Sequence, residues 1–272
     1  MKNKKTMKKI FSIVLAFILY ICISCLIFSF IMKISIFNSD FIKQSIDKSG
    51  YINYCIEYAE NSLVSHGMAS GFDEEFFTTI LEEKRVENDV KKSIDSMFGK
   101  EVSPSDFEEY LYKNLVQNVK NRGLTITEEN DESLKHLAKI CNEEYENSFK
   151  IPGDDIIKSI LPNLNTAILI FIIILVIVSI ICVVLIYFLQ KRRNYYKFYI
   201  YSLTATMGTI LIPVLLIEYQ NRIKNLGIDD KGLYYLINNM STSIIGYFHG
   251  AVLIILALII FCVFLNYKRK HK

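Results

Sequence analysis

The chain has 272 residues, of which 51% are hydrophobic and 22% are charged, and its formal net charge is +3. Its mean hydropathy is +0.28. This composition excludes a disordered low-complexity chain and a collagen-like fibre, and it indicates that charged and apolar residues occupy different segments.

Four apolar runs without charged residues cover residues 10–32, 166–189, 198–217 and 244–265. A hydrocarbon core about 30 Å thick requires roughly 20 helical residues, and a helix satisfies its own backbone hydrogen bonds there. We therefore predict four transmembrane helices. The five lysines within residues 1–9 resemble the start of a signal peptide, but the length of the first run favours an uncleaved signal anchor.

Three short segments are rich in basic residues. Residues 1–9, 190–197 and 266–272 contain five, four and four of them, and no acidic residue. The positive-inside rule predicts that all three segments, and with them both termini, are cytoplasmic. We expect anionic lipid headgroups to bind there, at Lys191, Arg192, Arg193, Lys268, Arg269 and Lys270.

The remaining polar segments have the opposite character. Residues 34–165 contain 25 acidic and 14 basic residues, and residues 218–243 contain three of each. We predict an extracytoplasmic domain over residues 33–165 and a short extracytoplasmic loop over residues 218–243. The chain is thus expected to be a multi-pass protein of the cell membrane.

The domain is predicted to be a bundle of four or five amphipathic helices, which makes the whole chain all-α. Helices are predicted to start at Asp73 and Thr127. Another is predicted to start at Ser103, with Pro104 as its first helical residue. Gly99 is predicted to end a helix in the left-handed conformation.

A pattern runs through three parts of the domain: a Val-x-x-Asp-Val helix, a Ser-Pro helix start, and a late tyrosine ahead of a proline. The residues are Val86, Asp89, Val90, Ser103, Pro104, Tyr145 and Pro152. In this order the chain resembles the uncharacterised four-span integral membrane proteins of low-GC Gram-positive bacteria. The resemblance implies topology and no activity.

Two histidines are the candidate catalytic residues. His249 is predicted to lie just inside the outer end of the fourth span, where an ionisable group is a functional candidate. The alternative is a hydrogen-bonded histidine at the membrane interface. His136 lies in the predicted domain. Glu218 and Arg222, one helical turn apart, are predicted to form a solvated pair.

Small residues predict close packing of the last two spans. Thr204 and Gly208 form a small-residue face on the third span, and Ser243, Gly246 and Gly250 form one on the fourth. Small side chains allow helix backbones to approach closely. We predict that these faces pack together or mediate dimerisation.

Cys55 and Cys141 are the two cysteines of the predicted domain. They could form a disulfide or remain separate buried thiols. A metal site shared with His66 and His136 is a third alternative, although their spacing matches no recognised ligand pattern. We predict no bound metal and no cofactor.

No phosphate loop, nucleophile elbow, zinc-hydrolase helix or dinucleotide fingerprint occurs in the sequence. We therefore predict a non-enzymatic interaction, sensing or assembly component. Its expected partner is a membrane protein or a second copy of the chain, and not a nucleic acid. The alternatives are an enzyme acting on lipid or envelope substrates at the outer interface, with His249 and His136 as candidate bases, and an oligomeric channel or transporter subunit.

Overall fold

The structure is a computed structural model that describes residues 2–151, 154–190, 195–220 and 222–270. The described residues form ten α-helices and contain no β-strand, which confirms the all-α prediction. In chain order the helices are α1 (Lys2–Ile34), α2 (Ser39–Ser49), α3 (Tyr51–Ala69), α4 (Glu74–Ile80), α5 (Glu83–Met97), α6 (Phe107–Asn121), α7 (Glu128–Asn147), α8 (Asp154–Gln190), α9 (Tyr195–Tyr219) and α10 (Lys231–Lys270).

Four helices are long and apolar enough to cross a membrane, as the sequence predicts. Within the described residues these segments are Thr6–Ile34, Ile156–Gln190, Tyr195–Tyr219 and Lys231–Arg269. The last helix begins well before the apolar run that predicted it. Its first turn is capped by Asp230, whose Oδ1 accepts a hydrogen bond from the backbone N–H of Leu233 at 2.7 Å.

The chain divides into two compact units. The apolar unit comprises Met1–Phe41, Asn163–Gly227 and Asn238–Lys272. The polar unit comprises Ile42–Pro162 and Ile228–Ile237. The segments that could cross a membrane thus lie mainly in the apolar unit, and α3 to α7 lie in the polar unit.

Small polar residues join α1 to α9 in the apolar unit. The Ser202 hydroxyl donates to the carbonyl oxygen of Ala16 at 2.7 Å, and the Thr206 hydroxyl lies 3.4 Å from the carbonyl oxygen of Tyr20. Ser202 and Thr206 are both buried. Because the contacting residues advance together along both helices, α1 and α9 run parallel.

The other two long helices of this unit run in the opposite direction. Near the end of α8, Gln190 donates to the Ser12 hydroxyl at 2.9 Å, and near its start Asn165 contacts Lys33. Therefore α8 is antiparallel to α1. Helix α10 is likewise antiparallel to α9, because His249 contacts Glu218 near the end of α9 and Arg269 lies over Tyr195 at its start. The four long helices of the apolar unit therefore alternate in direction.

The polar unit is a helical assembly with an apolar core. Asp73 caps α4 by accepting from the backbone N–H of Phe76 at 3.1 Å, and Thr127 caps α7 by accepting from that of Asn130 at 3.3 Å. Gly99 has a φ of 74° after the end of α5. These three predictions are confirmed. The largest fully buried side chains of this unit include Ile46, Leu63, Phe77, Val86, Phe107, Leu111, Leu115 and Tyr145.

The predicted start of a helix at Ser103 and Pro104 is wrong. Helix α6 begins at Phe107, and Ser103 and Pro104 precede it in an irregular segment. The serine that serves the helix start is Ser105, which accepts from the backbone N–H of Phe107 at 3.2 Å. Its hydroxyl also donates to Asp89 at 3.2 Å, and this tertiary contact holds the segment out of the helix.

Candidate functional site

A polar pocket of about 310 Å³ lies in the polar unit, between α5, the segment that precedes α6, and the end of α7. We call it the Asp89 pocket. Its lining includes Asp89, Lys92, Ser103, Pro104, Ser105 and Lys150. A neighbouring pocket of about 490 Å³ shares four of these residues, so the two form one polar region around Asp89.

Asp89 is the buried centre of this region, with 4% of its surface exposed. The Tyr145 hydroxyl donates to its Oδ2 at 3.0 Å, and the Ser105 hydroxyl donates to the same oxygen at 3.2 Å. Lys92 Nζ lies 3.2 Å from Oδ1. A buried carboxylate is costly unless it is paired and hydrogen-bonded. Tyr145 therefore joins α7 to α5, Ser105 joins the segment before α6 to α5, and Lys92 pairs with Asp89 within α5.

Tyr145 is held in place by its ring and by its hydroxyl group. Its ring is fully buried and stacks on Phe107, with the ring centroids 3.8 Å apart. Burial raises the pKa of Tyr145, and the neighbouring Asp89 carboxylate raises it further. The phenol consequently stays protonated and remains a donor to Asp89.

One feature of the sequence marks this site, although no function follows from it: an acidic residue on the apolar face of a helix. Asp89 lies on the apolar face of α5, between Val86 and Val90, and both valines are buried. An acidic residue on such a face needs buried partners. Asp89, Ser103, Pro104 and Tyr145 all belong to the pattern behind the family resemblance, and all four meet at this region. No comparable sign marks Lys92 or Lys150, because lysines are common on protein surfaces.

His249 and Glu218 form a pair in the apolar unit. His249 Nε2 lies 2.9 Å from Glu218 Oε1, and the two side chains are 40% and 42% exposed. The prediction that Glu218 pairs with Arg222 is wrong, because Glu218 bonds across to α10 and Arg222 bonds to Gln220. At the opposite end of the same two helices, the Arg269 guanidinium lies 4.7 Å from the ring centroid of Tyr195.

The contact with Glu218 allows His249 to bind a proton and to form a hydrogen bond. A carboxylate bonded to one ring nitrogen can orient the imidazole. Within the described part of the chain, no serine, threonine or cysteine side chain is hydrogen-bonded to His249. The other candidate base, His136, is exposed on α7 and belongs to the polar unit.

An apolar cavity of about 610 Å³ lies between α1, α9 and α10, with Phe171 of α8 on one side. The hydroxyl groups of its wall belong to Ser24, Ser29, Thr209 and Ser241. Ile217 and Phe248, the sequence neighbours of Glu218 and His249, also line it. The cavity therefore lies near the histidine pair and has the chemistry to hold an apolar chain.

The predicted glycine faces do not bring helices together within the chain. A Cβ added to Gly208, Gly246 or Gly250 would meet no atom of the described structure within 4 Å. Thr204 is exposed. The small residues of α9 that do pack are Ser202 and Thr206, against α1. Ser243 is half-buried on α10, and dimerisation through the glycine faces stays a prediction.

Cys55 and Cys141 are separate, fully buried thiols. Burial raises the pKa of each to about 12. Among the residues that the structure describes, no three His, Cys, Asp or Glu side chains are grouped so as to hold a metal ion. His66, the remaining histidine considered for such a site, is exposed on α3.

The predicted headgroup contacts can be located only in part. Lys191, Arg192 and Arg193 lie outside the described residues. Lys268 and Arg269 are exposed in the last turns of α10, and Lys270 is its final residue.

Comparison with known proteins found no matching protein family, no matching curated protein and no matching solved structure.

Proposed function

We propose that this protein is a non-enzymatic sensing and interaction component of the cell membrane, with the polar unit on the extracytoplasmic side. The Asp89 pocket is the observation that supports this function. It has the size of a small-molecule site, and a buried network of hydrogen bonds shapes it in advance. The carboxylate at its centre is occupied by three donors, so it is a structural anchor and not an available base.

Contacts at one end of the apolar unit support the proposed orientation. Gln190 of α8 lies 3.4 Å from the carbonyl oxygen of Lys8, which brings the N-terminal lysines near the end of α8. Arg269 lies over the ring of Tyr195. The described residues Lys8, Gln190, Tyr195 and Arg269, which belong to the three basic segments, thus lie at a common end. The positive-inside rule assigns this end to the cytoplasm. The acidic residues 34–165 would then lie outside.

Labelling of single introduced cysteines tests this orientation. Thr125 lies between α6 and α7 and is exposed, and Lys268 is exposed near the end of α10. We expect a membrane-impermeant maleimide to label Thr125→Cys in intact cells. Lys268→Cys should be labelled only after permeabilisation. The opposite pattern would overturn the orientation.

Isolation of the tagged full chain from cross-linked native membranes tests the interaction function. We expect a stoichiometric membrane partner or a second copy of the chain. Recovery of an inert monomer alone would count against the proposal.

A pocket-filling variant tests whether the pocket is used. Ser103→Trp should fail to complement a deletion strain, because the indole would occupy the Asp89 pocket. Ser65→Trp is the matched control, because Ser65 is an exposed serine on α3. If the two variants complement equally, the Asp89 pocket is not required for the function.

The His249–Glu218 pair favours a second candidate, an enzyme that acts on lipid or envelope substrates. A histidine oriented by a carboxylate beside an apolar cavity could serve as a general base toward a headgroup or ester. In that case His249→Ala and Glu218→Gln would both abolish complementation. If His249→Ala and His136→Ala each complement fully, the enzymatic alternative fails.

A further inference from the structure

We propose that the Asp89 pocket binds a small anion through its phosphate group. This inference rests on the proposed sensing function and names the ligand class of the same site. Three features of the pocket support this ligand: its lysines, its fully engaged buried carboxylate, and the hydroxyl groups of its wall.

Lysines are concentrated at this pocket. Lys92, Lys150 and Lys158 line it, against Asp89 and Glu146. Lys158 already interacts with a partner, so Lys92 and Lys150 are the ammonium groups that can face a ligand. Two ammonium groups at one pocket favour an anion over a metal cation, although residues 34–165 contain 25 acidic and only 14 basic residues.

The acidic side chains of the pocket are already engaged. Both oxygens of Asp89 accept from protein donors, as described above, and Glu146 Oε1 accepts from Asn142 at 3.2 Å. Lys92 gives Asp89 one of the three N–H groups that an ammonium carries, so the same ammonium can also donate into the pocket. The bond to Asp89 therefore positions Lys92 for an anion.

Hydroxyl donors complete the recognition of a phosphate. Ser93, Ser96 and Ser103 line the pocket together with the lysines. A phosphate has three or more acceptor oxygens in a tetrahedral arrangement, which suits several converging ammonium and hydroxyl donors. The volume of about 310 Å³ is at the lower end of small-molecule sites, which suits a small phosphate monoester.

The test uses the full chain in dodecyl maltoside, which contains no phosphate. The protein is titrated by calorimetry with inorganic phosphate and with glycerol 1-phosphate, and sodium chloride keeps the ionic strength constant. We expect saturable binding of both probes and a rise in melting temperature. A response no larger than that to chloride alone would overturn the proposal.

Lysine variants make the test specific to this pocket. Lys150→Gln should weaken phosphate binding about tenfold, the equivalent of about 1.4 kcal/mol. Lys150 is exposed and has no contact with Asp89, so its removal leaves the buried network intact. Lys113→Gln is the matched control, because Lys113 is an exposed lysine on α6 that pairs with Glu109. Unchanged affinity in Lys150→Gln would reject the site.

Two further experiments are needed. One distinguishes a lipid headgroup from a free phosphate metabolite, and the other distinguishes failure of phosphate binding from failure of the proposed function. Phosphatidic acid in nanodiscs should compete with soluble phosphate if the ligand is a lipid headgroup, and should not compete if it is a free metabolite. Either result supports phosphate recognition. A chain that recovers its partner but binds no phosphate overturns this inference alone, whereas an inert monomer that binds phosphate overturns the proposed function alone.

Discussion

Asp89 is a buried carboxylate that joins three segments of the polar unit. Replacing Tyr145 by Phe keeps the stack on Phe107 but removes a donor from the buried carboxylate. We expect Tyr145→Phe to lower the free energy of unfolding by about 2 kcal/mol, as is typical for a hydrogen bond to a charged group. Urea unfolding of the full chain in detergent measures the change.

The matched control for this substitution is Tyr112→Phe. Tyr112 also donates to a carboxylate, that of Asp131, but the contact is only partly buried. Water can replace the lost bond there, so we expect a much smaller change than for Tyr145→Phe. Equal effects of the two substitutions would contradict the view that burial makes the Asp89 network important.

The thiols of Cys55 and Cys141 give a second test at the scale of single residues. Burial raises the pKa of both to about 12, so almost no reactive thiolate exists at pH 8. We expect neither cysteine to react with maleimide in the native full chain, and both to react in SDS without reductant. Mass spectrometry of the modified peptides identifies the sites. A requirement for reductant in SDS would instead reveal a disulfide.

At the scale of helices, Asp95 ties α5 to α2. Lys43 of α2 lies 3.0 Å from its carboxylate, and Lys100 lies 2.7 Å from it. Burial alone would raise the pKa of Asp95, but hydrogen bonds from Lys100 and Lys43 outweigh it and lower the pKa below its usual value. The stabilisation is therefore fully present above about pH 4 and is lost as the pH falls through the lowered pKa.

The lowered pKa of Asp95 predicts how replacing this residue by an uncharged one changes the free energy of unfolding at different pH values. Asp95→Asn should lower the free energy of unfolding by about 1 kcal/mol at pH 7, because the side chain is partly exposed. The difference from the wild type should shrink as the pH falls below about 4. Unfolding curves of the full chain at several pH values measure this. A difference that is constant with pH would show that the ion pair is not its cause.

The contact between α1 and α9 predicts which threonine of α9 tolerates a larger side chain. Thr206 is fully buried against α1, and Thr204 is exposed. Thr206→Leu should therefore destabilise the protein by about 1–3 kcal/mol through overpacking, and Thr204→Leu should have little effect. Melting temperatures in detergent compare the two variants. The reverse order would mean that α9 presents its other face to α1.

Thr204 and Thr206 also show where sequence patterns stop being informative. Apolar runs fix the spans, and Asp73, Thr127 and Gly99 fix helix ends, because these signals act within a few residues. Small residues occur on both faces of α9, so the sequence favoured Thr204 and Gly208 although Ser202 and Thr206 make the contact. The bond between Tyr145 and Asp89 joins residues 56 positions apart, and no local period encodes it.

At the scale of the whole chain, the net charge of +3 hides two opposite distributions. In the sequence, basic residues flank the candidate membrane-spanning helices at residues 1–9, 190–197 and 266–272, and acidic residues dominate the segment between α1 and α8. The first distribution sets the proposed orientation through anionic lipid. The second makes a pocket rich in lysine unusual in its surroundings. The proposed phosphate ligand and the proposed cytoplasmic location of the termini rest on different distributions of charge, so they can be tested independently.

Self-association is the last property that depends on the whole chain. Only 6% of the apolar window of α10 is buried, compared with 28% for α1 and α9, and the Gly246 and Gly250 positions are open. A glycine pair on an uncovered helix favours close packing on a second copy. We expect the wild type to be a dimer in mild detergent by light scattering, and Gly246→Leu to raise the dissociation constant at least about tenfold.

The open space around these glycines makes it possible to distinguish loss of the dimer from loss of folding. A Cβ added at Gly246 meets no described atom within 4 Å, so we expect Gly246→Leu to keep the melting temperature of the monomer while the dimer is lost. Leu256→Phe adds bulk to an exposed position of α10 away from the glycine face, and it should leave the dimer intact. If Gly246→Leu remains dimeric, the glycine face is not the interface, and the exposed side of α10 contacts only lipid or a different membrane protein.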